Sequence, residues 1–318
     1  MRRPSLASGL IMLYVLSLAV QSASACTIFT ATQEETVLFG GNEDQRPNDA
    51  YLIVDTSGRF GVVYIGTSWG SWSMVEMTGI NERGLSFDCN WIPTEALNPH
   101  PERGDPGEWV VTHVLKECAR VEEVLGIALA FDWGESLDYQ VHFADATGDA
   151  AVIHPGTDGE LTYTSKPDGD GHLVSTNFNL ARLETGDYSC QRYDTASEML
   201  AELETGETLT VEYMASVLDA THQEGEVSTI YSTIYDLKER TAYLYYDHRF
   251  DEPVILDVAT ELEKGDRQVN IDELLPAGRN SPVNTIVSRL LAQPLAGILA
   301  LGTLLAIGYY VRQTRRPS

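Results

Sequence analysis

Cys26 stands directly behind Ala23-Ser24-Ala25, and cleavage after Ala25 would make it the first residue of a mature chain. A terminal cysteine carries a thiol and a free α-amine on one residue. The amine of an unperturbed terminus has a pKa of about 7.7–8.0, so a good share is neutral near pH 7. It can take the thiol proton and later return it to a leaving amine, which puts nucleophile and general base on one residue. Two other roles compete. A lipidated cysteine needs a bulky aliphatic residue three positions earlier, where Ala23 stands. A cysteine that only pairs in a disulfide is the second. Downstream, Asp44 in Gly40-Gly41-Asn42-Glu43-Asp44 could orient a terminal amine, or simply make a turn. Asn90, at the end of Leu85-Ser86-Phe87-Asp88-Cys89-Asn90, could donate to an oxyanion, or again be a turn residue.

The elements that must hold these residues are mostly strands. Residues 27–32 and 36–40 are apolar, β-branched runs around a polar turn, which predicts a hairpin beginning at Cys26. Strand-like runs follow at 51–55, 59–65 and 74–79, and Gly79-Ile80-Asn81-Glu82-Arg83-Gly84-Leu85 reads as a tight turn before 85–90. Residues 94–107, rich in Pro, Gly and charge, predict an exposed loop. Helical spacing covers 108–119 and 121–130, strands return between 139 and 176, and helices recur at 193–203 and 211–220. Runs at 229–237 and 242–247 predict a tyrosine-rich hairpin. Strands with helices grouped between them suggest an α+β fold.

Both ends read as membrane signals. Arg2 and Arg3 precede an apolar stretch at 10–20 and small residues at 23–25, the pattern of an export signal over 1–25. Residues 295–311 are 17 in number and carry no charge, the low end of what crosses a bilayer. Tyr309 and Tyr310 suit an interfacial belt, and Arg312, Arg315 and Arg316 predict a basic cytoplasmic tail over 312–318. The resulting plan is a folded domain at 26–256, an acidic and polar stalk at 257–294 and a transmembrane helix at 295–311, with the domain outside the cytoplasm. The 318-residue chain holds 21 Lys and Arg against 47 Asp and Glu; five of the bases lie in the two ends, so residues 26–294 carry 16 bases against 47 acids, a balance of −31. Such a surface excludes nucleic acid and anionic lipid as partners. It also suits high salt, a reading that equal stability at low and molar salt would refute. Of four cysteines, Cys89, Cys118 and Cys190 allow one disulfide and one free thiol. The seven histidines are scattered, none at the i, i+4 spacing of a helical metal pair, and we read them as structural or surface residues, with no metal and no cofactor expected.

Taken together, Cys26-Thr27-Ile28-Phe29, Gly41-Asn42-Glu43-Asp44, Asn81-Glu82-Arg83-Gly84-Leu85 with Asn90 following, Ser175-Thr176-Asn177-Phe178 and Tyr231-Ser232-Thr233-Ile234-Tyr235-Asp236 resemble the choloylglycine hydrolase / penicillin V acylase family. These are linear amide C–N hydrolases of the N-terminal-nucleophile superfamily, with acid ceramidase a distant relative. The resemblance implies a four-layer αββα fold with two stacked antiparallel sheets. It implies Cys26 as nucleophile and base, Asp44 as holder of its amine, and Asn90 and Asn177 as oxyanion donors. It also implies an arginine beyond the second asparagine, with Arg192 the best match and Arg182 the competitor. The choloylglycine-type pattern places another arginine three residues before the aspartate, where this chain has Gly41. The implied activity is hydrolysis of a small-molecule N-acyl amide through a Cys26 thioester. The alternatives are an acyltransferase of the same fold and an inactive, membrane-anchored binding domain.

Overall fold

The computed structural model of the protein describes residues 26–275 except Pro47, residues 70–72, 184, 185 and 187. The expected export signal, transmembrane helix and basic tail, and the part of the expected stalk beyond 275, lie outside the described residues. No helix among the described residues is long and apolar enough to cross a membrane.

β1 (Thr27–Gln33) and β2 (Thr36–Gln45) form the expected hairpin, closed at Gln33↔Thr36 with Glu34 at φ 53°. A positive φ in a two-residue loop matches the twist of the paired strands. The hairpin lies inside a six-stranded antiparallel sheet ordered β10-β1-β2-β11-β12-β13, where β10 is Gly171–Ser175, β11 Ser228–Asp236, β12 Thr241–Tyr246 and β13 Val254–Asp257. A second, eight-stranded sheet is ordered β14-β3-β4-β5-β6-β7-β8-β9. Its members here are β3 (Ala50–Asp55), β4 (Val62–Trp69), β5 (Ser73–Asn81), β6 (Ser86–Ala96), β7 (Ser136–Ala144), β8 (Ala150–Pro155), β9 (Leu161–Ser165) and β14 (Arg267–Asn270). The two sheets stack, β1 lying against β6 and β7. The β5–β6 turn is built by Asn81, whose Oδ1 accepts from the backbone of Arg83 and Leu85. Gly84 takes φ 81° there, and any Cβ would strike the Leu237 carbonyl oxygen at 2.1 Å.

Helices cover both outer faces. α1 (Val110–Glu117) and α2 (Val121–Ala128) bury Val111, Val114, Leu115, Val121 and Val124 against Phe87, Val141, Phe143 and Ile153 of the second sheet. α3 (Gln191–Ala201) and α4 (Val211–Thr221) bury Ala196, Leu200, Met214 and Leu218 against Phe29, Ala31, Leu38 and Ile234 of the first. Fully burying a Leu or Phe side chain contributes about 1.5–3 kcal/mol, so these two clusters anchor the layers. The α+β architecture of stacked antiparallel sheets is the expected one.

Three expectations change. β6 continues to Ala96 instead of ending at Asn90, because a register shift between Trp91 and Glu95 accommodates Pro93, which has no N–H for a ladder. Residues 257–270, expected as stalk, fold: Asp257 accepts from Thr260 N at 2.8 Å to cap α5 (Val258–Glu263), and β14 pairs with β3. The acids there are matched internally, Lys264 and Arg267 both meeting the buried Glu261. Finally, all four cysteines are free thiols. Residues 26–270 belong to one unit, and a second begins at Ile271 with a single 3-10 turn, Ile271–Leu274.

Candidate active site

Cys26 leads into β1, so strand alternation sends its side chain to the same face as Thr30. That face meets the second sheet, for Thr30 Oγ1 lies 2.9 Å from His142 Nε2 of β7. On β2 the same alternation sorts Gly41 and Glu43 from Asn42 and Asp44. Asn42 faces the helices, donating to Leu218 O at 2.9 Å. Glu43 faces the sheet interface, where the buried Cys26 Sγ donates to its Oε2 at 3.7 Å. β6 contributes Asp88 and Asn90 to that interface, while Phe87 and Cys89 turn to the helices. Asn90 is fully buried and neither atom of its amide has a hydrogen-bond partner among the described residues.

The helix side completes the cluster. Arg192, in the first turn of α3, donates through Nη1 to Cys26 O and Thr27 Oγ1, both at 2.8 Å, and through Nη2 to Asn177 Oδ1 at 3.1 Å. The same Nη1 lies 3.7 Å from Asp44 Oδ2. Asp44 also receives Gln223 Nε2 at 2.9 Å and the Thr229 hydroxyl. Asn177, just beyond β10, donates to Trp91 O at 2.9 Å. Its amide nitrogen carries two N–H groups, so one bond leaves the second available. Gln140 of β7, opposite Asn90 in register, holds the carbonyls of Thr176 and Phe178 at 2.8 and 3.0 Å. Asn90 and Asn177 are thereby tied to one neighbourhood. Arg182 lies elsewhere, half exposed and bonded to Glu95 at 2.6 Å. Of the two candidate arginines, Arg192 is the one bonded to Cys26.

The family described as acyl-coenzyme A:6-aminopenicillanic acid acyl-transferase matches residues 31–250, more than half of the chain. The chain belongs to this family. Among solved structures it is similar to a mutant of the conjugated bile acid hydrolase from Clostridium perfringens, at 16% identity and TM-score 0.56, covering 77% of this chain and 96% of that one. It is also similar to the penicillin V acylase from Agrobacterium tumefaciens, at 15% identity and TM-score 0.55, covering 74% and 86% respectively. At these identities the likeness is one of fold, shared with the choloylglycine hydrolase and penicillin V acylase group. No curated protein sequence matches the chain.

This family member surrounds its candidate nucleophile with acids. Burial pushes the Cys26 thiol well above its ordinary range, and the charges of Glu43, Asp44 and Asp88 push it further, against one hydrogen bond from the Asp44 backbone. Glu43 is raised to about 8 by burial and then by Asp44, and Asp88 goes well above its usual value by burial and then by Glu43. Asp44 rises to about 6 by burial, although Thr229, Arg192 and Gln223 hold it down. The thiol is therefore protonated at neutral pH, and none of these side chains activates it. His142 is lowered to about 3 by burial and stands neutral between Thr30 and Ser175. Gly41 occupies the position of the early arginine, and a Cβ there would meet Asp88 Oδ2 at 2.3 Å. An acid fills the space that a base would need.

Glu43 and Asp88 are the residues that motif reading passed over. Alternation was the available signal: with Cys26 opening a strand, the residue opposite it on the hairpin is Glu43, and Asp88 shares its face with Asn90. Gln223 and Thr229 offered no comparable signal, since they reach Asp44 from 179 and 185 positions away in sequence.

Proposed function

We propose that the protein is an N-terminal cysteine hydrolase of linear N-acyl amides, with its catalytic domain outside the cytoplasm and a C-terminal membrane tether. The observation that carries the catalytic reading is the single Arg192 guanidinium that bonds the Cys26 carbonyl and Asn177 while pairing with Asp44. It draws the nucleophile, one oxyanion donor and the amine-holding acid into one network. The location rests on the export signal and the apolar stretch at 295–311.

In the reaction, the freed α-amine of Cys26 removes the thiol proton and the sulfur adds to the amide carbonyl carbon. The carbonyl oxygen becomes an oxyanion held by the amides of Asn90 and Asn177. The C–N bond then breaks, the leaving nitrogen taking the proton from the Cys26 ammonium, and a thioester remains. Water, deprotonated by the same amine, releases the acid and restores the thiol. Because burial first, and the neighbouring acids after it, hold the thiol's pKa high, the α-amine freed by cleavage after Ala25 is the base that this reading assigns. The family description favours a second outcome for the same thioester, transfer to an amine acceptor in place of water.

The test is intact-mass analysis of the purified protein with a panel of N-acyl amides of varied chain length. A mature chain beginning at Cys26, an acyl adduct on that residue, and loss of turnover in Cys26→Ser are expected. A chain that retains any residue before Cys26, or a Cys26→Ser protein with wild-type turnover, would refute it. Adding amines and comparing free acid with new amide separates hydrolysis from transfer.

A further inference from the structure

On the helix side of Asp44, two histidines 26 positions apart in sequence come together. His222 follows α4 and His248 follows β12, and their ring centroids are 4.6 Å apart. One ligand atom from each of His222, Glu224 and His248 falls within 4.8 Å of the others. The tautomers are decided by neighbours. His222 Nδ1 points at the Asp219 carbonyl oxygen, and His248 Nε2 lies 2.8 Å from the Thr229 carbonyl oxygen. A carbonyl only accepts, so both of those nitrogens carry the proton. With those protons so placed, Nε2 of His222 and Nδ1 of His248 are the nitrogens left to bind a metal. Metal-binding histidines are oriented in this way, the far N–H held by a backbone carbonyl. His222 Nε2 is 3.6 Å from Glu224 Oε1.

The backbone is committed to this arrangement as well. Asp247 and His248 both take φ 57°. Two successive non-glycine residues thus sit in the left-handed region, which Asp and His enter more readily than most side chains. His248 also lines an open cleft of about 600 Å³, which provides an entry path.

We propose that His222, Glu224 and His248 bind one divalent transition-metal ion of the zinc type, with water in the exposed fourth position. Two imidazoles and a carboxylate are a common donor set for such an ion, at bonds of about 2.0–2.2 Å. Closing the three ligand atoms from within 4.8 Å of one another onto such an ion calls for side-chain adjustment, and the Glu224 side chain, 78% accessible, has room to turn. The site is separate from Cys26 but joined to Asp44. Gln223, between two of the ligands, and Thr229, whose carbonyl holds His248, are the residues that donate to the Asp44 carboxylate. Gln223 and Thr229 are also bonded to each other, Thr229 N donating to Gln223 O at 2.9 Å and Gln223 N to Thr229 Oγ1 at 2.8 Å. A bound ion therefore fixes the segment that positions Asp44.

The experiment is calorimetric titration of the chelator-treated, full-length protein with Zn²⁺, and with Co²⁺ as a spectroscopic substitute. One ion per chain is expected, with a rise in unfolding temperature. His222→Gln and His248→Asn should each weaken binding about tenfold or more. Asparagine suits the left-handed backbone at 248, and Glu224→Gln on the exposed side chain serves if a histidine variant does not fold. Cys190→Ser should bind as wild type. No saturable binding by the wild type, undiminished binding in the histidine variants, or loss of binding in Cys190→Ser would each overturn the assignment. None of these readouts depends on turnover at Cys26.

Discussion

Replacing Glu43 with glutamine isolates the electrostatics of the candidate nucleophile. Glu43 is 3% exposed, and its carboxyl rises from an ordinary 4.5 to about 8. In the fold it keeps its proton up to about pH 8, whereas the unfolded chain releases it near 4.5. Between those values the folded state holds more protons, so wild-type stability falls as pH rises. The loss is about 1.4 kcal/mol per pH unit, on the order of 5 kcal/mol across the window. Glu43→Gln removes the ionisable group with little change of shape, and its amide oxygen can still accept the Gln45 Nε2–H that now lies 3.0 Å from Oε1. Wild type and variant should be within about 1 kcal/mol of each other at pH 4.5, where the carboxyl is neutral in the fold and half ionised in the unfolded chain. At pH 8.5 the variant should be more stable by several kcal/mol. Asp88 reinforces the effect, because part of its own rise comes from Glu43. Urea unfolding at half-unit steps from pH 4.5 to 8.5 measures the difference. A companion readout is the pH at which an alkylating reagent captures Cys26: burial is the largest cause of its raised pKa and Glu43 the next, so the variant should react at lower pH. A stability difference that stays flat over the range, or narrows as pH rises, would refute the assignment of a protonated, buried Glu43.

Two further substitutions bear on the reaction. Asn90→Ala should lower kcat by roughly 10²–10³-fold, the loss of one oxyanion donor, yet leave urea stability nearly unchanged, because the Asn90 amide makes no bond among the described residues to lose; a drop in stability with turnover intact would assign Asn90 to the fold instead. Arg192→Ala leaves the buried Asp44 without its cation, so it should abolish turnover and cost on the order of 3 kcal/mol in unfolding free energy. Arg182→Ala, which removes a half-exposed pair with Glu95, should cost about 1 kcal/mol or less and spare turnover. The reverse ranking of the two arginines in the same pair of assays would remove Arg192 from the site.

Local pattern made much of this protein legible. The β1–β2 hairpin, the Asn81 turn, the four helices on the outer faces and the tyrosine-rich β11–β12 hairpin all lie where periodicity and turn residues put them, because each is specified by neighbours within a few positions. Cys26, Asp44, Asn90 and Asn177 were visible as short motifs. The folded 257–270 segment was not, because its acids read as solvated stalk until Glu261 is seen paired with Lys264 and Arg267. Residues 94–96 misled in the opposite direction, reading as the start of a loop where the strand continues past a register shift.

The amino-acid order alone determined the α+β class, the candidate nucleophile and the acidic character of the chain, since composition, alternation and the −1 and −3 positions of an export signal are local properties. Which arginine reaches Cys26, which acid faces its sulfur, and that Gly41 must stay small beneath Asp88 were decided by how the layers pack on one another. So was the meeting of His222 with His248. Contacts of that kind depend on register and layer stacking, which no spacing along the chain encodes.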